Sequence, residues 1–317
     1  MSASFSLTSP VSIAIIFSSY TGYRHDDCYN ELMVDTKTKR RIATYYTQAE
    51  IDYKLLWRLR TQQAMHFGFW TEHAHNLSQA LKNQDKIMAE LAGITKDDLV
   101  LDAGCGIGGS SLFLAKAIGC KVVGISIVEQ QVKKARHLAS RFGLSAEATF
   151  SVADFTAMPF AENTFDVVWA IESVCYAPKK EQFLREAFRV LKPGGTLIVA
   201  DGFALKEEYS HDEATIMAYW LSGWEVQALD TTAAFCSSAK SAGFYSVHAQ
   251  DYTTAVLPSS RLLHRFSYVY APFDWILHKT GIRNQVHYAN LLAARYQYVA
   301  LANKLWQYAV ITATKPK

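Results

Sequence analysis

A glycine-rich turn directly after a short apolar run constrains the fold of this chain more than any other feature. The apolar run covers residues 99–103, and the turn that follows holds Gly104, Gly106, Gly108 and Gly109. Glycine lets the backbone approach a ligand closely, and the start of the next helix offers free N–H groups and a positive dipole end. The pattern therefore predicts a buried strand, a ligand-binding loop and a helix in succession.

Strand-like and helix-like segments alternate regularly after this turn. Further strands are predicted at 121–125, 149–152, 165–171, 196–200, 245–252 and 307–313. Helices are predicted at about 109–118, 128–142, 180–190, 211–224 and 231–242. Such alternation is typical of an α/β fold with helices on both faces of a parallel sheet, and ligands bind these sheets at the carboxyl ends of the strands.

The spacing Gly104-x-Gly106-x-x-Gly109 also satisfies the dinucleotide-binding fingerprint. Two details argue against a dinucleotide. A dinucleotide site has a carboxylate at the end of the second strand to bind the ribose hydroxyls, whereas this chain has Ser126 at that position. An acid, Asp102, precedes the first glycine, where it would repel a pyrophosphate.

The order strand, Asp-x-Gly-x-Gly-x-Gly-Gly, helix resembles the nucleotide loop of class I S-adenosylmethionine-dependent methyltransferases. Residues 153–155 look like that family's adenine-contacting acidic turn, and residues 191–196 match the turn before its fifth strand. The resemblance covers about residues 99–201. It implies a Rossmann-like seven-stranded sheet and S-adenosyl-L-methionine as cofactor, with S-adenosyl-L-homocysteine as product.

Three segments point to one branch of that family. Residues 170–178 resemble the sterol and tocopherol C-methyltransferases, in which a similar acidic segment ends the fourth strand. Residues 124–130 are similar to that branch and to cyclopropane-lipid synthases, which often lack the acid on the second strand. Residues 66–70 look like the His-x-Gly-aromatic segment of tocopherol-like members. The aromatic N-terminal region of the steroid branch is not closely reproduced in this chain, so the resemblance does not identify the substrate.

The resemblance implies a set of cofactor contacts. Asp102 would lie near the methionyl ammonium, Ser126 and Gln130 around the ribose, and Asp154 with Phe155 at the adenine. The alternatives are that Asp102 only caps a helix, that Ser126 and Gln130 are only polar surface residues, and that Glu172 is only a structural acid. The full predicted set is Asp102, Gly104, Cys105, Gly106, Ser126, Gln130, Asp154, Phe155 and Glu172.

Methyl transfer from a sulfonium is an in-line displacement, so positioning and the exclusion of water supply most of the rate. An oxygen or nitrogen acceptor needs little beyond a base, whereas an isolated alkene becomes a carbocation that requires aromatic faces and a nearby base. The candidate bases are His66, Glu172 and Asp251, of which we predict His66 and Glu172 to be catalytic. A structural histidine and a structural acid are the alternatives.

The chain is rich in aromatic residues, which are 13% of its composition, and they are densest after Phe244. A helical, aromatic-rich insertion is predicted at 255–305, between the last two strands. We interpret it as a lid over an apolar substrate, with extra core or a dimer face as alternatives. The predicted substrate pocket is formed by Tyr45, Tyr46, Tyr176, Tyr270 and Trp275.

The predicted organisation has five parts. Residues 1–40 form a loose N-terminal extension, with Met33 as a candidate translation start. A helical cap covers 41–95, the cofactor-binding core 96–254, the lid 255–305 and the last core strand 306–317.

Composition narrows the partners and the location. The net charge of +3 is the small excess of basic over acidic residues that are interspersed along the chain, which argues against nucleic-acid binding.

Five widely spaced cysteines without a Cys-x-x-Cys pair predict neither a disulfide framework nor a metal site, and they fit a reducing, cytoplasmic location. The apolar run at 11–17 is too short to span a bilayer, although transient membrane contact to fetch a lipid is compatible with it. The chain is expected to be a monomer or a homodimer.

We therefore predict S-adenosylmethionine-dependent methyl transfer to a hydrophobic, isoprenoid-like or aromatic small molecule in specialised metabolism, with carbon slightly favoured as acceptor. An N- or O-methyltransferase of an alkaloid or quinone is the alternative. A non-catalytic cofactor-binding module and a nucleic-acid methyltransferase remain as hypotheses from other classes.

Overall fold

The computed structural model describes residues 28–49, 52, 63–72, 74–280 and 283–317. The chain forms two compact units, Met1–Lys39 and Arg40–Lys317, and the sheet and the site described below belong to the second. The strands are β1 Leu99–Ala103, β2 Lys121–Ser126, β3 Ala148–Val152, β4 Phe165–Ile171, β5 Leu191–Ala204, β6 Tyr245–Asp251 and β7 Trp306–Thr314. The α-helices are α1 Cys28–Gln48, α2 Leu77–Ala92, α3 Gly109–Ala117, α4 Glu129–Arg141, α5 Lys180–Val190, α6 His211–Gly223, α7 Thr232–Ser241, α8 Thr253–Lys279 and α9 Gln285–Ala302.

The strands form one seven-stranded sheet in the order β3-β2-β1-β4-β5-β7-β6. Strands β1 to β5 pair in parallel, and β7 pairs antiparallel with both β5 and β6. Helices α8 and α9 are inserted between β6 and β7. The prediction of a Rossmann-like seven-stranded sheet with a helical insertion between its last two strands is confirmed.

Alternate residues of the central strands enter different hydrophobic cores, as the pleat of a strand requires. Val100 and Trp169 pack into one cluster, which also holds Trp306. Leu101 and Val168 pack into the other. Because both faces are buried, the carboxyl edge of the sheet is the place where polar side chains can meet a ligand.

Strand β5 begins at Leu191, five residues before the predicted start at 196. The glycine pair that we interpreted as a turn is instead held in the sheet. Gly194 donates its N–H to the carbonyl of Lys315, and the N–H of Lys315 donates to the carbonyl of Gly195, both at 2.9 Å. Pairing with the far end of the chain thus extends the strand backwards, which local turn propensity does not reveal.

The predicted loose extension at 1–40 falls largely on residues 1–27, which lie outside the described residues. From Cys28 to Gln48 the chain is helical, and the extension at 1–40 stays a prediction. The segment 28–48 contains neither glycine nor proline, so it has no strong helix breaker. Met33 falls within this helix. No helix in the described part of the chain is long and apolar enough to cross a membrane.

Candidate active site

The loop after β1 has a backbone that only glycine accommodates easily. Gly104, Gly106 and Gly108 have φ angles of +98°, +54° and +87°. The N–H groups of Gly104 and Cys105 both donate to the carbonyl of Ile125 at 2.9 Å, which ties the loop to β2. The loop is therefore fixed by the sheet, and its glycines leave the backbone uncovered by side chains.

Residues 63–65 pass close over this loop. A Cβ atom on Gly109 would lie 2.1 Å from the carbonyl oxygen of Gln63, and one on Gly106 would lie 2.8 Å from Cε of Met65. These distances leave no room for a side chain at Gly106 or Gly109, so the segment 63–65 packs directly on the loop. The free N–H groups at the start of the next helix are where a ligand could contact the loop.

Asp102 lies at the end of β1, buried beneath the loop. The hydroxyl of Ser111 donates to its carboxyl at 2.5 Å. Burial raises the pKa of Asp102 to about 7; the bond from Ser111 lowers it and the nearby Asp85 raises it. A carboxyl in this position can be ionised by a cationic group that binds beside it.

The other predicted cofactor contacts follow the ends of β2 and β3. The hydroxyl of Ser126 accepts from the N–H of Val128 at 3.1 Å and donates to Gln131 at 2.9 Å, so it ties the end of β2 to the first turn of α4. Gln130, the predicted ribose contact, is exposed. The N–H of Ala153 donates to the carbonyl of Ser126 at 3.2 Å, so the two strand ends are adjacent.

Asp154 and Phe155 lie in the turn after β3. The carboxyl of Asp154 accepts from both the N–H and the hydroxyl of Thr156 at 2.8 Å. The ring of Phe155 packs edge-on against Phe183, with 5.5 Å between ring centroids. The ends of β1, β2 and β3 thus bring Asp102, Ser126 and the 154–155 turn to one edge of the sheet, in the order that the resemblance implies.

A small cavity that is partly open to solvent lies at the carboxyl ends of β4 and β5. Two carboxyl groups, Glu172 and Asp201, reach this cavity. Its remaining wall is mostly aromatic or aliphatic. The aromatic lining residues are Tyr46, Phe67, Tyr176, Trp220, Trp224, Trp306 and Tyr308.

Glu172 follows β4 and has a φ of +46°, which is unusual for a residue other than glycine. Its carboxyl accepts from the N–H of Phe67 at 2.8 Å and from the hydroxyl of Tyr308 at 2.9 Å. Burial raises the pKa of Glu172 to about 8; the two donors lower it and Asp201 raises it. Glu172 is therefore largely protonated at neutral pH, and it ionises in the range where a general base works well.

Asp201, near the end of β5, is the second carboxyl at the cavity. It accepts from the N–H groups of Cys175 and Gly202, both at 2.8 Å. Burial raises the pKa of Asp201 above its ordinary value. These two backbone donors fix the orientation of its carboxyl at the cavity wall.

Aromatic rings from three separate segments form much of the cavity wall. The ring centroids of Trp220 and Trp306 are 4.5 Å apart, and those of Trp220 and Trp224 are 6.2 Å apart. Phe67 lies 6.1 Å from both Trp306 and Tyr308. Aromatic faces attract cations, so this wall can stabilise a positive charge on a bound molecule.

His66, a predicted catalytic base, is not among the described residues that line the cavity. It is buried, and its Nδ1 atom lies 2.9 Å from the carbonyl oxygen of Phe67 and 3.1 Å from the Oε1 atom of Gln84. Gln84 in turn donates to the hydroxyl of Tyr308 at 2.8 Å. The structure therefore places His66 behind Glu172, where it positions the segment that contacts this acid.

Asp251, the third candidate base, is also not among the described residues that line the cavity. It is exposed, and its carboxyl accepts from the N–H of Thr253 at 2.7 Å at the start of α8. This is the geometry of a helix cap.

The predicted pocket tyrosines are only partly brought together. Tyr46 and Tyr176 line the cavity, with 5.7 Å between ring centroids. Tyr45 is buried, and its hydroxyl donates to Asn290 at 2.9 Å. Within the described part of the chain, neither Tyr270 nor Trp275 lines the cavity, and Trp275 is 64% exposed. Besides Tyr46 and Tyr176, the rings at the cavity come from β7, from α6 and the residue after it, and from Phe67, rather than from α8.

Several cavity residues were missed by the sequence analysis, notably Asp201, Trp220, Trp224 and Tyr308. A signal was available for the tryptophans, because residues 220 and 224 are four apart on a predicted helix and so lie on one face. Asp201 ends the predicted fifth strand, at the edge where ligands bind. Among the described residues, no group of three or more His, Cys, Asp or Glu side chains is placed to hold a metal ion.

Comparisons with known proteins point to methyltransferases. A family model described as a methyltransferase domain matches residues 101–199. Sterol 24-C-methyltransferase ERG6 of Saccharomyces cerevisiae is 36% identical over 169 residues, which are 53% of this chain and 43% of that protein. The chloroplastic tocopherol O-methyltransferase of Arabidopsis thaliana is 31% identical over 206 residues, which are 61% of this chain and 56% of that protein. The chain thus spans about half the length of the curated relatives it matches.

The fold also matches solved structures. The crystal structure of the [4+2]-cyclase SpnF aligns with a TM-score of 0.71 at 24% identity, covering 87% of this chain and 95% of that one. At this identity the likeness shows the fold alone. Residues 101–199 thus match a methyltransferase domain, and the chain is similar to sterol and tocopherol methyltransferases.

Proposed function

We propose that this chain transfers a methyl group from S-adenosyl-L-methionine to a carbon atom of a hydrophobic, isoprenoid-like small molecule. The observation that carries the proposal is the cavity at the carboxyl ends of β4 and β5, which is lined both by a buried carboxyl of raised pKa, Glu172, and by three tryptophans. The sterol and tocopherol acceptors named for the relatives are of the matching chemical class.

The cofactor, when bound, supplies an electrophilic methyl group on a sulfonium. In the proposed arrangement the loop at Gly104 and Gly106 would hold its methionyl part, and the ammonium group of that part would lie beside Asp102 and favour its ionised form. Ser126 and the 154–155 turn would receive the ribose and the adenine. These assignments rest on the order of the strand ends and on the resemblance.

The acceptor's double bond would provide the electron pair for the new carbon–carbon bond while the methyl–sulfur bond breaks and its electron pair stays on the sulfur of the product, S-adenosyl-L-homocysteine. A positive charge would then be left on the neighbouring carbon of the acceptor. The faces of Trp220, Trp224 and Trp306 stabilise that charge. The ionised carboxyl of Glu172 then removes a proton from an adjacent carbon, and the electron pair of that C–H bond restores a double bond. Glu172 must lose its own proton before turnover, which links the rate to a pKa of about 8.

Labelled S-adenosylmethionine tests the proposal against a panel of prenyl diphosphates, sterols, tocopherol precursors, quinones and alkaloids. We expect label on carbon of an isoprenoid-like acceptor, with a loss of about 100-fold or more in Glu172→Gln. Asp102→Ala should weaken cofactor binding in calorimetry, and NAD should not bind. Label on RNA or DNA alone contradicts a small-molecule acceptor, and label on none of them contradicts catalysis.

An N- or O-methyltransferase of an alkaloid or quinone is the second candidate. The presence of two carboxyls and of tryptophans in one cavity favours it, because an ammonium ion fits between an acid and an aromatic face as well as a carbocation does. In that case Glu172→Gln and Asp201→Asn should weaken binding of the amine itself, whereas an alkene should bind these variants nearly unchanged.

The setting of the reaction completes the proposal. A cytoplasmic role in specialised metabolism, as a monomer or homodimer, rests on the sequence pattern. The same holds for the division into a cap at 41–95, a core at 96–254 and an insertion at 255–305. Fold alone does not fix chemistry in this superfamily, so the labelling experiment decides the activity.

A further inference from the structure

Helix α8 has apolar side chains on two opposite sides. One side is buried and includes Val256 and Leu263. The other side is exposed, with Leu262, Val269, Phe273 and Ile276 at 46%, 70%, 61% and 52%. The last four recur at spacings of seven, four and three residues, so they form one continuous stripe along the helix.

Exposed stripes of this kind are unusual on a protein surface and mark an interaction site. Of the eleven exposed large hydrophobic side chains in the described part of the chain, six belong to α8. Tyr268 and Trp275, which precede Val269 and Ile276 in the chain, are exposed as well. Their rings are apolar with a polar tip. Such rings suit a boundary between an apolar and an aqueous phase.

The charge around the stripe has one sign. Residues 253–305 contain six Lys or Arg residues and a single acid, Asp274. That acid is 1% exposed and is paired with Arg283, so it does not reach the surface. Arg261, Arg265 and Lys279 are exposed on the same helix. The exposed side of α8 is therefore apolar and cationic, without a carboxylate of its own.

This combination decides between two occupants of the stripe. A second copy of the chain bound through a two-fold contact would bring Arg265 and Lys279 towards the same cations of its partner. An anionic bilayer instead offers lipid tails to the stripe and negative headgroups to the cations. Charge complementarity thus favours the bilayer.

We propose that the exposed stripe of α8, defined by Leu262, Val269, Phe273 and Ile276, docks this protein onto an anionic lipid surface. Helix α8 packs against α9. Helix α9 in turn packs closely on α6, since a Cβ on Gly223 would lie 2.3 Å from the carbonyl oxygen of Ala289. Helix α6 carries Trp220 of the cavity wall, so docking would bring the cavity close to a membrane that holds isoprenoid-like acceptors. This last step rests on the proposed function, whereas the docking itself does not.

Co-sedimentation of the full chain with vesicles tests the docking. We expect binding to vesicles of phosphatidylcholine mixed with phosphatidylglycerol, and much weaker binding to phosphatidylcholine alone. The variant R265Q/K279Q should lose about 25-fold in partition coefficient, because each basic residue near an anionic surface contributes about fivefold. The variant V269D/F273D should lose binding to both kinds of vesicle.

Phe142→Asp is the matched control, because Phe142 is 44% exposed but lies at the end of α4. It should bind as the wild type does. Thermal unfolding and cofactor binding confirm that the variants are folded, since all the substituted residues are exposed. Wild-type protein that ignores anionic vesicles overturns the proposal, and so does a dimer in solution that V269D/F273D converts to monomer.

Methyl transfer to an acceptor dissolved in detergent separates this proposal from the proposed function. If docking fails while detergent-dissolved acceptor is methylated, only the docking is wrong. If vesicles are bound and no acceptor is methylated in either form, only the proposed function is wrong.

Discussion

The hydroxyl of Tyr308 on β7 donates a 2.9 Å hydrogen bond to the carboxyl of Glu172, which follows β4. Strand β5 lies between β4 and β7, so this bond crosses the carboxyl edge of the sheet. Gln84 of α2 holds the same hydroxyl from behind, at 2.8 Å. The orientation and the pKa of the candidate base are thus set by side chains from distant parts of the chain.

Tyr308→Phe should raise the pKa of Glu172 further, because it removes a donor that favours the ionised carboxylate. The rising limb of the pH–rate profile should then move to higher pH by roughly one pH unit. Single-turnover methyl transfer at a series of pH values measures this. Tyr252→Phe is the control, since the Tyr252 hydroxyl lies near Gln250 and its loss should leave the limb in place.

Glu172→Gln and His66→Gln should separate the two predicted bases. Glu172 reaches the cavity, so Glu172→Gln should greatly reduce turnover, and the activity that remains should no longer rise with pH near pH 8. His66 contacts Gln84 rather than the cavity, so His66→Gln should keep the limb while lowering the rate or the stability. A limb that survives in Glu172→Gln and disappears in His66→Gln would show that His66 is the base.

The unliganded protein should lose stability as pH rises from about 4 to about 8. Burial raises the pKa of Asp102 to about 7 and of Glu172 to about 8, and it also raises the pKa values of Asp85 and Asp201. The folded state therefore binds more protons than the unfolded state in this window, and the free energy of unfolding falls as these protons are lost. The total is on the order of several kcal/mol.

Thermal unfolding across this pH range measures the effect. Glu172→Gln cannot ionise, so its unfolding temperature should fall less steeply and should exceed that of the wild type above pH 8. A wild-type unfolding temperature that is flat or rises over the window would contradict the burial of these acids.

The cofactor half was more readily predicted from the sequence than the acceptor half, and the reason is physical. The loop, its helix and Asp102 are adjacent in the chain, so spacing alone reports their geometry. The boundaries of β4 and α5 were predicted to the residue, because apolar runs and helix periodicity are local signals.

The acceptor cavity is assembled from parts that no local pattern connects. Asp201, Trp220 and Tyr308 belong to three elements that meet only once β7 enters the sheet beside β5. The density of rings in 255–305 drew the prediction towards Tyr270 and Trp275, but composition does not report which side of a helix faces the cavity. The exposed stripe of α8 accounts for part of that density.

Gly104→Ala should destabilise the fold and abolish cofactor binding. Its Cβ would lie 2.3 Å from the Cβ of Ser173, and its φ of +98° already disfavours a side chain. Ser173 cannot easily move away, because its hydroxyl donates to the carbonyl of Ala103 at 2.6 Å. We expect a loss of about 2–4 kcal/mol in urea unfolding.

Gly143→Ala is the matched control for this substitution. Gly143 also has a positive φ, +70°, but a Cβ there would meet nothing within 4 Å. Backbone strain alone should cost about 1 kcal/mol, and cofactor affinity should not change. Equal losses at the two glycines would show that strain, and not the close approach of Ser173, makes Gly104 necessary.

Arg283→Met should be the most destabilising of these changes, because it leaves two buried carboxylates without their cation. The guanidinium of Arg283 pairs with Asp52 at 2.6 Å and with Asp274, and all three residues are less than 9% exposed. Removing one partner of a buried ion pair typically costs about 3–5 kcal/mol. The variant R283M/D52L/D274L removes the stranded charges, so it should recover most of this loss in urea unfolding. Lys133→Met breaks the exposed pair with Glu129 and should leave the free energy of unfolding nearly unchanged. If R283M/D52L/D274L is as unstable as Arg283→Met alone, the cluster stabilises the protein by shape rather than by charge.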